Sequence, residues 1–258
     1  MTEAGASERV IARAVDRVCH LMWFLMRQEP EVIALAEEHQ AMGFPHYLTS
    51  RMGVMEVDRW ADEVFIAPRS LVEHLLPRCL ALDPPVYVDL SLAAAGRALS
   101  RISPTPPPAL LELAERVEPE GGLVSAWARW SRSGDPYRDS VRDAMVIRED
   151  RAHGHYRAAA EAGLSPLELL VLTQLWKGRE VDLITKGFKW GEPDVALATG
   201  ALQRRGLVEA AGSISAAGRR LREEIEEGTD RWASRYLLGL GDERRRTVVA
   251  ELEPLGSI

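Results

Sequence analysis

The sequence predicts a mainly α-helical protein: an N-terminal helical region, then a smaller C-terminal module with a small β-hairpin. Three observations lead there. Apolar residues recur at three- and four-residue spacing through most of the chain. Prolines and glycines punctuate those stretches where helices start and stop. After Gly163 the pattern changes to three short helices, two brief alternating runs and a long helix.

The first helix spans Ser7 to Arg27, with Val10, Ile11, Ala14, Val15, Val18, Leu21, Met22 and Leu25 on one stripe and Arg9, Arg13, Asp16 and Arg17 opposite. Pro30 opens a second helix that runs to about Met42 and stops at Gly43. Helical spacing returns at Tyr47 to Met55, Val57 to Ile66, Arg69 to Leu80 and Leu90 to Ile102, the last weakened by Gly96. Ser103-Pro104-Thr105-Pro106-Pro107-Pro108 is a connector, because proline offers no backbone donor. Shorter helices follow at Ala109 to Val117 and Leu123 to Trp130. Asp135 then caps a long helix from Pro136 to Ala162. Beyond Gly163, Ser165-Pro166-Leu167-Glu168 reads as a capping box for a buried helix. Helices from Val181 to Lys186 and Glu192 to Arg205 come next, then strand-like Leu207-Val208-Glu209 and Ser213-Ile214-Ser215, then a helix from Ala216 to Trp232. That order is a winged helix-turn-helix. The expected division is 1–163, an all-helical ligand-binding region, and 164–258, a winged-helix domain with a helical tail.

Composition excludes several classes. The chain has 258 residues, 46% apolar and 28% charged, which fits a globular protein. Its longest apolar run, Val18 to Met26, contains His20 and is too short to cross a bilayer. The opening residues lack the order of a secretory signal, so the expected location is cytoplasmic, with no membrane association. Cys19 and Cys79 sit in apolar helical patterns and read as reduced core thiols. A net charge of −7 disfavours nucleic acid as a partner of the whole chain. Phosphate-loop, dinucleotide-fold and nucleophile-elbow motifs are absent, and no metal or cofactor is expected.

The runs Leu164-Ser165-Pro166-Leu167-Glu168, Ala201-Leu202-Gln203-Arg204-Arg205-Gly206-Leu207-Val208 and Ile214-Ser215-Ala216-Ala217-Gly218-Arg219 resemble the winged-helix domain of MarR-type regulators. The likeness covers residues 164 to 232. The chain as a whole is also similar to an actinobacterial family labelled helix-turn-helix, through Arg148-Glu149-Asp150-Arg151-Ala152-His153-Gly154-His155, which matches R-E-x-R-x-x-G-H, and through Thr229-Asp230. The first resemblance implies a third helix lying in the DNA major groove.

The charges argue against that role. The third helix of the module opens with Glu192 and Asp194, and the wing Glu209 to Ser213 carries no arginine. From Lys177 to Gly206 six cations face four anions, which is no basic footprint. The module therefore reads as a structural or dimerising scaffold.

On the 136 to 162 helix, 100° spacing groups Val141, Ala144, Arg148, Arg151, Ala152, His155 and Ala159 on one side and places Asp143, Asp150, Arg157 and Glu161 opposite. Two arginines and a histidine on an apolar side require acids, an anionic ligand or water. Arg148 and Arg151 form an anion clamp in this reading, with His155 and Glu149 as catalytic candidates. His20, Trp23 and Arg51 are further ligand-binding candidates. The competing reading is an internal set of arginine–acid pairs tying helices together. The expected function is binding of an anionic small molecule, extending to cofactor-free elimination or cyclisation in specialised metabolism. The expected assembly is a homodimer or a heterodimer with a homologue. A ligand-responsive DNA-binding regulator and a non-catalytic accessory subunit are the alternatives.

Overall fold

The computed structural model describes residues 3–256, with side chains from residue 8. Fourteen α-helices are described: α1 Glu3–Gln28, α2 Pro30–Glu38, α3 Phe44–Met52, α4 Trp60–Glu63, α5 Arg69–Leu80, α6 Pro84–Ile102 and α7 Pro108–Glu115 in the first half. They continue as α8 Gly122–Arg129, α9 Pro136–Glu161, α10 Pro166–Trp176, α11 Asp182–Phe188, α12 Glu192–Arg204, α13 Ala216–Ala233 and α14 Asp242–Gly256. Two 3-10 turns lie at Val57–Arg59 and Ser234–Leu237.

Contacts divide the chain into two units. One comprises 1–60, 75–153 and 230–258; the other comprises 61–74 and 154–229. The limits of these contact units fall inside α9 and α13. The physical reason for the first unit's extent is α14, which packs against α1 and α7 and so returns the C-terminus to the N-terminal helices.

In the first unit α1 buries Ile11, Val15, Val18, Cys19, Met22 and Met26, a helical stripe that packs against α6, α14, α2 and α3. Gly96 explains itself here. A Cβ at that position would lie 2.7 Å from the Arg138 backbone nitrogen, so glycine allows α6 to touch the start of α9. The cap on α9 forms as expected, with Asp135 Oδ1 accepting from the backbone of Tyr137 at 2.9 Å and Arg138 at 3.1 Å. Both cysteines are free and buried, and burial pushes the Cys79 thiol up to about 11. Among the described residues no helix is long and apolar enough to cross a membrane.

In the second unit α10, α11 and α12 pack together around Leu169, Val171, Leu172, Ile184, Val195, Ala198 and Leu202. The capping box is present: Glu168 N donates to Ser165 Oγ at 3.3 Å, and Ser165 N to Glu168 Oε2 at 2.8 Å. The small β-hairpin is not formed as two strands. A single antiparallel bridge joins Val208 to Ile214, closed by Glu209 N to Ser213 O at 2.8 Å and by Ser215 N to Leu207 O at 3.1 Å. The turn uses Gly212 at φ 87°, and three residues on either side of it are too few for a ladder. Other boundaries move slightly: α2 ends at Glu38 because Gln40 takes φ 52° and Ala41 N closes onto Ala36 O at 2.8 Å.

Gly218, near the start of α13, sets how closely that helix meets the bridged turn. An added Cβ would sit 2.1 Å from the Leu207 carbonyl oxygen and 2.9 Å from Ile214 Cγ1. The carbonyl is already an acceptor in the turn, so it has no easy retreat. Gly218→Ala is expected to destabilise the protein by about 1–3 kcal/mol, as overpacking does. Thermal unfolding by circular dichroism checks this, and an unchanged midpoint contradicts it.

Candidate functional site

The site grows from α9. Residues 140–147, 149 and 150 are buried, with Arg148 partly exposed, so this stretch is enclosed on all sides. Asp143 and Asp150, which the helical period sets on an outer face, are each 1% exposed. Each is paired: Asp143 Oδ1 accepts from Arg142 at 2.6 Å and Arg132 at 3.0 Å, and Asp150 Oδ1 accepts from Arg235 at 3.3 Å.

Glu149 is the centre of the arrangement. Its side chain is 1% exposed, and Arg51, 3% exposed, meets it from α3. Arg51 Nε donates to both carboxylate oxygens at 3.1 Å, and Nη2 donates to Oε2 at 2.8 Å. Arg148 Nη1 also donates to Glu149 Oε1. Burial pushes the Glu149 carboxyl up, yet Arg51 and Arg148 outweigh it and hold the group below the usual carboxylate range. It is an anion at neutral pH, and its oxygens are occupied by guanidinium donors. The α3 backbone is fixed in turn, since the indole of Trp127 donates to Arg51 O at 3.1 Å.

The other face of Arg148 covers Trp23. Its Cζ is 3.8 Å from the indole ring centroid, and Arg27 Cζ is 4.0 Å from the same centroid. Tyr47 meets Trp23 edge-on at 5.4 Å and stacks on Phe44 at 5.3 Å. Arg27 has no ion pair among the described residues; burial lowers its pKa, and the like charge of Arg148 adds to the effect. Trp23 Nε1, Arg27 Nε and Arg148 Nε are buried and find no hydrogen-bond acceptor among the described residues. The guanidiniums of Arg27, Arg51 and Arg148 thus gather around Glu149 and an aromatic wall, and the charge of Arg148 also reaches the Asp16 carboxylate.

Arg151 meets two other acids, though its Nε is buried without a hydrogen-bond acceptor among the described residues. Its Nη2 donates to Asp230 Oδ1 at 3.1 Å and its Nε lies 3.3 Å from Asp16 Oδ1. Asp230, fully buried, also accepts from Arg13 Nε at 2.8 Å. His20 is more exposed than an interior histidine: its side chain is 54% exposed and lies 3.3 Å from Asp16 Oδ1. The hydrogen bond to Asp16 raises its pKa. Arg148 and Arg151 therefore donate hydrogen bonds to different acids, while the charge of each helps to lower the Asp16 pKa.

His155 lies in the second unit. Its Nδ1 is 2.9 Å from Thr229 Oγ1 and 3.9 Å from Glu226 Oε1. Thr229 Oγ1 already donates to Ile225 O at 2.8 Å, so in the His155 bond the imidazole Nδ1–H donates.

Sequence reasoning selected Arg148, Glu149, Arg51 and Trp23, which the fold brings together, and overlooked Arg27. The signal was available: Arg27 is four residues after Trp23 on one helix, the spacing at which side chains on α1 meet. Among the described residues no group of three or more His, Cys, Asp or Glu side chains is placed to hold a metal.

In the second unit the start of α12 exposes Glu192 and Asp194, and Leu197 is 70% exposed. Lys186 pairs with Asp182 at 2.5 Å, while Arg205 donates to Gly163 O at 2.9 Å and Ala162 O at 3.0 Å. No curated protein and no solved structure matches the chain. A family model described as a helix-turn-helix family matches residues 8–258, nearly the whole length, and the chain belongs to that family.

Proposed function

We propose that the protein binds an anionic small molecule at Trp23, Arg27 and Arg148, on a helix-turn-helix scaffold of MarR-like order that does not read DNA. The observation that carries this reading is the pair of guanidiniums over one indole, with the Nε donors of both and the indole N–H buried and uncommitted. An unsatisfied buried donor costs about 1–3 kcal/mol, so an acceptor arriving there recovers energy that the protein alone leaves unused. A planar anion fits best. Guanidinium forks match paired oxygens, and Trp23, Tyr47 and Phe44 offer ring surface.

Glu149 acts in this proposal as a positioning group, holding Arg148 against Trp23 and giving Arg51 its counter-charge. A carboxylate kept ionised between two arginines is a poor proton carrier at neutral pH, which favours binding over the elimination or cyclisation chemistry also considered for Glu149 and His155. Arg151 and His20 complete the second cluster through Asp16 and steady α1. A partner chain, either a second copy or a homologue, remains part of the proposal through the terminal helices. The regulator reading has less support. Glu192 and Asp194 repel phosphates where a reading helix approaches the duplex, and Lys186 and Arg205 are engaged within the protein.

Titration calorimetry with benzoate and inorganic phosphate tests the site. Benzoate is expected to bind, with affinity about tenfold weaker in Arg27→Gln and in Arg148→Gln, the loss of one charge-assisted contact. Undiminished affinity in both folded variants overturns the assignment. Glu149→Gln should behave differently, because it strands the buried Arg51 charge. It is expected to cost about 3–5 kcal/mol of stability, read from denaturant unfolding. A third measurement addresses the scaffold. The protein is expected to give no mobility shift with duplex DNA at physiological salt. A shift whose affinity falls steeply with rising salt would restore the regulator reading.

A further inference from the structure

The first unit contains a second feature, away from the Trp23 cluster, that nothing above uses. A cavity of about 460 Å³ is lined by Glu115, Arg116, Val117, Glu118, Asp150, Arg235, Tyr236 and Leu238. That volume lies within the range of small-molecule sites, about 300–1,000 Å³. Its walls come from the end of α7 and the segment after it, from α9, and from the 3-10 turn Ser234–Leu237 with the residue that follows.

The charges on those walls are unevenly committed. Arg235 is already engaged by two acids: Nη1 donates to Glu120 Oε1 at 3.0 Å and Nη2 to Asp150 Oδ1 at 3.3 Å. Its guanidinium carbon also lies 3.4 Å from the Trp232 ring centroid. Arg116 donates Nη1 to the Leu238 carbonyl at 3.2 Å and sits 3.8 Å from Glu112. Among the acids, Glu118 has no ion pair among the described residues, and Glu115 has only a 3.5 Å contact with Arg132, itself closer to Asp143. Asp150 is 1% exposed, which places it at the deep end, and Glu115 and Glu118 are exposed at the mouth.

We propose that this cavity is a binding site for a small organic cation, an ammonium- or guanidinium-bearing molecule, held by Glu115 and Glu118 at the mouth and by Asp150 at the deep end. The three carboxylates on the walls outnumber the two arginines, which disfavours an anion although Arg235 Nε is buried without an acceptor among the described residues. The buried Tyr236 hydroxyl, without a partner among the described residues, can accept a hydrogen bond from an ammonium group. An aliphatic amine with a three- or four-carbon stem also finds Val117 and Leu238 to lie against.

Asp150 gives the site a distinguishing property. Burial pushes its carboxyl up to about 6 against the pull of Arg235, and the nearby Glu120 charge adds to the rise. A bound cation favours the ionised form, so uptake releases a proton and affinity rises as pH rises through about 6. The groups facing Asp150 are Arg235, Tyr236 and Trp232 from the C-terminal segment and Glu120 from the loop before α8. Arg116, Glu115 and Glu118 lie across the cavity. His153, one turn along α9 and 5.6 Å from the Trp232 ring, is the control.

Titration with agmatine at pH 5.0 and 7.5, with putrescine as the diamine comparison, tests the site in the full chain. Saturable binding is expected, roughly tenfold tighter at the higher pH. Glu118→Gln, a substitution at an exposed position, should weaken it about tenfold, and Asp150→Asn should flatten the pH dependence. His153→Gln should retain that dependence, and Arg148→Gln should leave agmatine binding unchanged. Absence of saturable binding by either amine overturns the proposal. So does binding that Glu118→Gln and a folded Asp150→Asn leave intact, or a pH dependence that disappears with His153.

Discussion

One buried carboxylate governs the first unit. Glu149 stands between Arg51 of α3 and Arg148 of its own helix, and each group is tolerable in the interior only because the others are there. Removing an ion from water costs several kcal/mol, and the mutual attraction of the set repays it only while the geometry holds. Trp127 enforces that geometry through the Arg51 carbonyl. A glycine at position 53 lets the end of α3 approach the Pro84 carbonyl, where a Cβ would lie 2.7 Å away. The same set decides where Arg148 can go. With one Nη bound to Glu149, its flat face is turned onto Trp23, and the cationic surface beside the indole follows from charge pairing one residue away.

This accounts for what could be read from the chain alone. The residues R-E-x-R announce charge on a helix whose neighbours are apolar, and burial of charge demands partners, so Arg148, Glu149 and Arg51 were within reach of sequence reasoning. The partition of those charges was not. Helical spacing puts Arg148 and Arg151 on one side, and a shared anion was the natural inference. In the fold, Arg151 instead pairs with Asp16 and Asp230, which are 135 and 79 positions away in the sequence. Periodicity within one helix carries no information about which distant acid arrives. It failed in a second way for Asp143 and Asp150, because a helix enclosed on every side has no solvent face for the period to reveal.

Local signals fared better than long-range ones for the same reason. The capping box at Ser165, the Asp135 cap and the proline-led helix starts depend on contacts two to four residues apart, and all are present. The two short runs around Gly212 have strand-like composition, but a ladder needs length, and one bridge is what six residues around a tight turn supply. The extent of the first unit depends on α14 returning to α1, a pairing between the two ends of the chain that no window of sequence records.

In the second unit the residues that place α12 and those it exposes are two separate sets. Val195, Ala198 and Leu202 face the core and fix where α12 lies; Glu192, Asp194 and Leu197 face outward and contribute nothing to that placement. An exposed α12 surface with two carboxylates and a leucine is compatible with the fold and adverse to a phosphate backbone. Family membership is therefore evidence about the inward-facing residues, and function has to be argued from the outward-facing ones.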